Sequence, residues 1–174
     1  RGLLEEMRKV TSKRLSAIER DTNDNESELE RLYRSQVWDD MSFALAAFPY
    51  WRAWVDLEIA RRVADAGLKT QALLPAQKGF RSASMQLFRP GLVYGGWLGL
   101  GYVAKEGGRH ARAAKIFANL ETALASEPDS PIRAAVQMEL RLLEAKTGKV
   151  KTDRRGGAVD DVEAKILRAE AFAL

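Results

Sequence analysis

Apolar residues recur along this chain at spacings of three and four, with no stretch of alternation long enough for a strand. Leu3, Leu4, Met7, Val10, Leu15 and Ile18 fall near one face of a helix over about 3–19. The polar run Asp21–Asn25 then forms a turn. Ser27 with Glu30 reads as a capping box that opens a helix through Leu29, Leu32, Tyr33, Val37 and Met41 toward Phe48, where Pro49 breaks or kinks it. Trp51, Trp54, Val55 and Leu57 lead the next helix, which is expected to end at Gly67. Pro75 suits the first turn of a helix with Ala76, Phe80, Ala83 and Leu87 on its apolar face, and Pro90 the first turn of another. Ser130-Pro131 repeats the device as cap and first helical residue. That helix carries Ile132, Ala135, Met138, Leu142 and Leu143 and stops before Gly148. A basic linker over 149–157 and a last helix from Asp160 to about Ala173, with Val162, Ile166, Leu167 and Phe172, complete the pattern.

The most specific segment is Gly91–Leu124. Trp97, Leu100 and Gly101 stand at spacings 0, +3 and +4. After the Glu106-Gly107-Gly108 turn, Ala113, Phe117, Leu120 and Leu124 follow at 0, +4, +7 and +11. Two helices folded back on each other give this pattern. It resembles the tetratricopeptide repeat, whose helix pair carries W-x2-L-G early and A-x3-F later. Trp54 and Leu57 match Trp97 and Leu100, and Ala76, Phe80 and Leu87 match Ala113, Phe117 and Leu124. Glu58 stands where the family prefers Gly, and six additional residues, read as a longer loop, separate the halves of the first copy. Ala104 replaces an aromatic and Leu120 a small residue within the better copy, which spans about 93–128. The resemblance implies an all-α fold of antiparallel helical hairpins stacked as a short tetratricopeptide-like α-solenoid, and a docking scaffold without chemistry of its own.

Composition supports a packed, soluble-type chain. Of its 174 residues 46% are apolar and 30% charged, and four Trp and six Phe argue for a real core. Acidic and basic residues intermingle, so the net charge of +4 describes solvated helix faces. The longest uncharged runs, Gly91–Ala104 and Met41–Trp51, fall short of the roughly 20 residues that span a bilayer. A chain beginning at Arg1 is expected to be a processed form or a fragment, which leaves room for a removed signal or anchor. Compartment is not legible. Three parts are expected: an amphipathic helix and linker over 1–26, a hairpin domain over 27–148, and a basic linker with terminal helix over 149–174.

Candidate chemistry is sparse. The chain has no Cys, which excludes disulfides, thiolate catalysis and Cys-based metal sites. His110 is the only histidine and has no carboxylate pair at helical spacing, so it reads as a residue of the turn after Gly107-Gly108. Asp39-Asp40 and Asp160-Asp161 are sequence neighbours, whose side chains diverge by about 100° on a helix and cannot share one acid–base site. The glycines of 91–101 lack the spacing and the Lys of a phosphate loop. Their number implies that a neighbouring helix or a bound segment closely approaches Gly95, Gly96 and Gly99, since an interior Gly costs about 1 kcal/mol relative to Ala.

The expectation is therefore a non-catalytic protein–protein interaction scaffold without cofactor or metal, docking a partner helix or peptide, or a second copy of itself. The candidate partner-binding residues are Trp38, Asp39, Tyr50, Trp51, Tyr94, Arg109 and Arg112. The alternative is a nucleic-acid-binding helical repeat that uses the basic clusters Arg109-Arg112-Lys115 and Lys149-Lys151-Arg154-Arg155. These lack the interleaved aromatics that stack bases, which makes nucleic acid the weaker partner.

Overall fold

The structure, a computed structural model, describes residues 2–22, 25–86 and 89–147. The basic segment 149–157, Leu87, Asp160-Asp161 and the expected terminal helix lie outside the described residues. Among the described residues the chain is all-helical: α1 (Gly2–Thr22), α2 (Glu26–Tyr33), α3 (Gln36–Arg61), α4 (Ala66–Ser84), α5 (Pro90–Glu106), α6 (His110–Ala123) and α7 (Pro131–Thr147). From α3 onward each helix packs on the next, and α5 also reaches both α3 and α7.

Capping explains several boundaries. Pro90 and Pro131 open α5 and α7 at the first helical position, where the missing N–H would be unpaired anyway. The α5–α6 turn closes as a Schellman motif: Arg109 N donates to Ala104 O at 2.8 Å and Gly108 N to Lys105 O at 3.0 Å. Gly108 sits at φ 74°, a left-handed conformation that favours glycine.

Other boundaries differ from the sequence reading. The cap of α2 is Asn25, whose Oδ1 accepts from Glu28 N and from the Ser27 hydroxyl at 2.8 Å. Glu30 is not part of a capping box; its carboxylate takes Arg34 instead. Ser35 caps α3 through Trp38 N at 3.2 Å and separates it from α2. Pro49 and Pro75 lie inside helices, and neither breaks nor opens one. A mid-helix Pro costs about 3 kcal/mol. Burial of Ala47, Phe48, Ala53 and Leu57 around Pro49, and of Leu73, Ala76 and Phe80 around Pro75, holds both helices through it. The helix carrying Trp51 ends at Arg61, not Gly67. Asp65 caps α4 by accepting from Leu68 N at 2.8 Å, and Gly67 falls in the first turn.

The six additional residues of the first hairpin are helix rather than loop. Ala76 is the eleventh residue of α4, whereas Ala113 is the fourth of α6. Even so, the landmarks occupy comparable places: Ala76, Phe80, Ala113 and Phe117 are all fully buried.

Two apolar clusters make the core. One joins α3, α4 and α5 through Ala53, Leu57, Ala76, Phe80 and Val103; the other joins α5, α6 and α7 through Leu98, Phe117, Leu120, Leu124, Val136 and Leu143. Leu100 and Tyr102 of α5 touch both. Edge-to-face ring contacts run across them, Phe80–Trp54 at 5.0 Å, Trp54–Tyr102 at 5.7 Å and Tyr102–Phe117 at 5.7 Å between centroids. On α7 the apolar face is turned from the expected one. Val136 and Leu143 are buried, while Met138 and Leu142 face solvent.

The glycines of α5 make this packing possible on two sides. A Cβ on Gly96 would lie 2.5 Å from Ser84 N and 2.7 Å from Phe80 O of α4. Gly99 lies under the Phe80 ring, Gly95 against Tyr50, and Gly101, on the opposite face, under Phe117. Neighbouring helices fill the space over Gly95, Gly96 and Gly99.

Helix α1 lies on α3 and buries no residue completely. Glu5 accepts from Arg52 at 3.1 Å, and Tyr33 OH donates to Glu19 at 2.9 Å. The single apolar face expected for α1 divides in two. Leu4, Leu15 and Ile18 are half-buried, whereas Leu3, Met7 and Val10 remain in solvent.

Candidate functional site

The middle of α3 and the start of α5 enclose an open cleft of about 440 Å³. Phe43, Tyr50 and Trp51 form one wall, and Arg89, Pro90, Gly91 and Leu92 the other. Local structure explains its composition. Pro90 begins α5, so the main chain there has no side chain longer than a pyrrolidine ring, and Gly91 adds none. Tyr50 is half-buried, with its ring 6.0 Å from Phe80. Trp51 is supported edge-on by Phe48 at 5.3 Å and keeps 37% of its surface exposed; Phe43 keeps 39%. Large aromatic surface held rigidly in water is the usual raw material of a binding hot spot.

Arg89 fixes the geometry of the second wall. As the residue before α5 it has no side-chain capping bond of its own kind to offer; its guanidinium reaches across to α3. Nη2 donates to Asp39 Oδ1 at 2.5 Å and Nη1 to Oδ2 at 3.4 Å, a forked pair. The guanidinium carbon sits 5.5 Å over the Phe43 ring. The hydrogen bond from Arg89 holds the Asp39 carboxyl below the usual carboxylate range. Tyr50 and Arg89 are the titratable side chains of the lining, and Arg89 is already paired. Such a lining can bury an apolar segment; it offers no paired acid and base.

A second concavity of about 460 Å³ lies over α2, lined by Ser27, Glu30, Arg31, Arg34 and Ser35. Its lining residues are all polar or charged types, and Arg34 is engaged by Glu30. It lacks the apolar anchors that make contacts durable.

The opposite end of α5 carries an ion cluster that joins three helices. Glu106 accepts from Arg61 Nε of α3 at 3.1 Å and from Lys69 Nζ of α4 at 2.9 Å. Partial burial would raise its carboxyl, but Lys69 and Arg61 outweigh that and hold it below the usual range. Lys105 donates to Glu139 of α7 at 2.6 Å. Between these pairs, burial and the Glu139 carboxylate push the Tyr102 phenol above its usual value. The groups are spent on one another across helix boundaries. Among the described residues no three His, Asp or Glu side chains gather as metal ligands would.

The seven expected partner-binding residues divide by position. Tyr50 and Trp51 line the cleft, and Asp39 anchors its Arg89 wall. Trp38 lies near the start of α3, with its ring 4.7 Å from Tyr33 in an edge contact. Tyr94 packs against the Phe117 cluster. Arg109 and Arg112 are exposed at the α5–α6 turn, some 20 Å from the cleft at about 1.5 Å per helical residue. Arg89, Pro90, Gly91 and Leu92 joined the site without a sequence signal, because Arg89 meets Asp39 across 50 residues of chain. Phe43, the remaining lining residue, follows Trp38 and Asp39 by about one turn of α3.

Among the described residues the chain is thus all-helical, its consecutive helices pack together, and no helix is long and apolar enough to cross a membrane. Compared with protein-family profiles, with curated proteins and with solved structures, it matches none.

Proposed function

We propose that this chain is a non-catalytic docking module, a short stack of tetratricopeptide-like hairpins that binds an amphipathic helix of a protein partner in the α3–α5 cleft. The observation that carries this reading is the pair of solvent-facing aromatics, Phe43 and Trp51, on the α3 wall of the cleft, facing Pro90, Gly91 and Leu92 of α5. Burying them would release roughly 25 cal/mol per Å² of apolar surface. The arrangement suits helix-in-groove recognition, in which a partner inserts apolar residues at spacings of three, four and seven. The stacked reading draws support from the α3–α5 and α5–α7 contacts and from the matched burial of Ala76 and Phe80 with Ala113 and Phe117. The reading is tested by selecting helical peptides from a displayed library on the intact chain. Selected peptides are expected to carry apolar anchors at that spacing and to lose affinity at least about tenfold on Trp51→Ala, with the fold unchanged. Peptides that bind equally well to Trp51→Ala and Phe43→Ala chains would refute it.

A further inference from the structure

Leu3, Met7 and Val10 of α1 stand at spacings 0, +4 and +7, and are 72%, 48% and 52% exposed although α1 lies on its own α3. The described residues therefore carry both halves of a helix-in-groove contact, an exposed apolar stripe on α1 and an open cleft between α3 and α5. A helix already resting on its own α3 cannot also turn its outer stripe into the cleft beside that helix.

Register and charge specify how. Arg14 is the next exposed position on the stripe after Val10, and Leu3 to Arg14 spans eleven residues. On α3, Asp40 to Trp51 also spans eleven residues, which brings Asp40 to nearly the same side as Trp51 at 100° per residue. Both spans measure about 16 Å at 1.5 Å per residue. Asp40 is exposed, with Oδ1 taken by Gln36 at 2.7 Å, which leaves its other oxygen for a cation. Laid antiparallel to α3, the stripe would set Leu3 and Met7 on Trp51, Val10 beside Phe43, and Arg14 at Asp40. Asp40 lies just outside the lining, about one helical turn before Phe43.

We infer that the occupant of the cleft is helix α1 of a second copy of this chain, in a two-fold dimer where each stripe fills the other's cleft. This rests on the reading of the cleft as a docking site. A two-fold arrangement makes the contact twice, so a modest interface on each side is doubled.

The absence of cysteine permits a clean test on the full chain. Arg14→Cys and Asp40→Cys chains, mixed under mild oxidation, are expected to form a disulfide-linked heterodimer. The mixture of Arg112→Cys with Asp40→Cys is expected not to. In sedimentation equilibrium the unmodified chain is expected to dimerise, and Val10→Glu or Trp51→Ala to weaken the dimer at least about tenfold. Both sites are exposed, so circular dichroism should report an unchanged fold. A chain that stays monomeric up to about 1 mM, the weak end of specific affinities, overturns the inference, as does equal cross-linking in the two mixtures. If selected helical peptides still bind a monomeric chain through Trp51, the dimer fails and the docking reading stands.

Discussion

The Phe80 ring of α4 lies directly over Gly99 of α5, in the space that a Cβ would occupy. Phe80 is fully buried and is held edge-on by Tyr50 and Trp54, so it has nowhere to swing. Gly99→Ala is expected to destabilise the fold by about 1–3 kcal/mol through overpacking, in spite of a gain of about 1 kcal/mol in helix propensity. Gly91, in the same helix, has open space where its Cβ would go. There the same change should stabilise by about 0.4–1 kcal/mol. Urea denaturation of the two variants checks the pair, and like signs would contradict the packing of α4 on α5.

Phe117 makes the corresponding contact inside the second hairpin, fully buried over Gly101 with its ring 5.7 Å from Tyr102. Phe117→Ala should cost about 3–5 kcal/mol by leaving a cavity between α5, α6 and α7. A loss below about 1 kcal/mol in chemical denaturation would show the hairpin to be wrongly assembled.

Glu106 ties stability to pH. Its carboxyl is held below the usual range in the folded chain by Lys69 and Arg61. The unfolded chain therefore takes up the proton first as pH falls. The stabilisation from Glu106 is complete above the ordinary glutamate range and is lost as pH drops through the lower folded value. Glu106→Gln should be less stable than the parent at neutral pH, with the difference narrowing in acid. Thermal melts of both chains across that range measure it, and a gap that widens in acid would contradict the sign.

Helix α1 rests on α3 through Leu4, Leu15 and Ile18, all half-buried, and through the Glu5–Arg52 pair. Deleting residues Arg1–Arg20 should leave a folded helical core weakened by about 2–4 kcal/mol, the share of three half-buried aliphatic side chains. It should also remove self-association, since the exposed stripe goes with it. A truncated chain without a cooperative melt would place α1 in the core.

How much of this was legible follows from where each signal resides. Pro90, Pro131, the Gly107-Gly108 turn and the Ala113–Phe117 register were readable because each states a local backbone or periodicity rule. Pro49 and Pro75 misled because burial of Phe48, Ala53, Leu73 and Phe80 offsets the local penalty, and burial is a property of the whole chain. Asp65 and Ser35 are good capping residues whose meaning was hidden by Gly67 and by the apolar continuity around Trp38. At the cleft, Tyr50 and Trp51 were legible as candidate partner-binding residues because they are aromatic residues within one helical segment. Its second wall was not, because only folding brings Arg89 to Asp39.

Amide chemical-shift mapping of the intact chain, titrated with a selected amphipathic peptide, tests the docking reading most directly. The account predicts perturbations centred on Phe43, Tyr50, Trp51, Gly91 and Leu92, with Arg109 and Arg112 silent. Perturbations centred on the α5–α6 turn, or spread along α7 with the cleft unchanged, would contradict it.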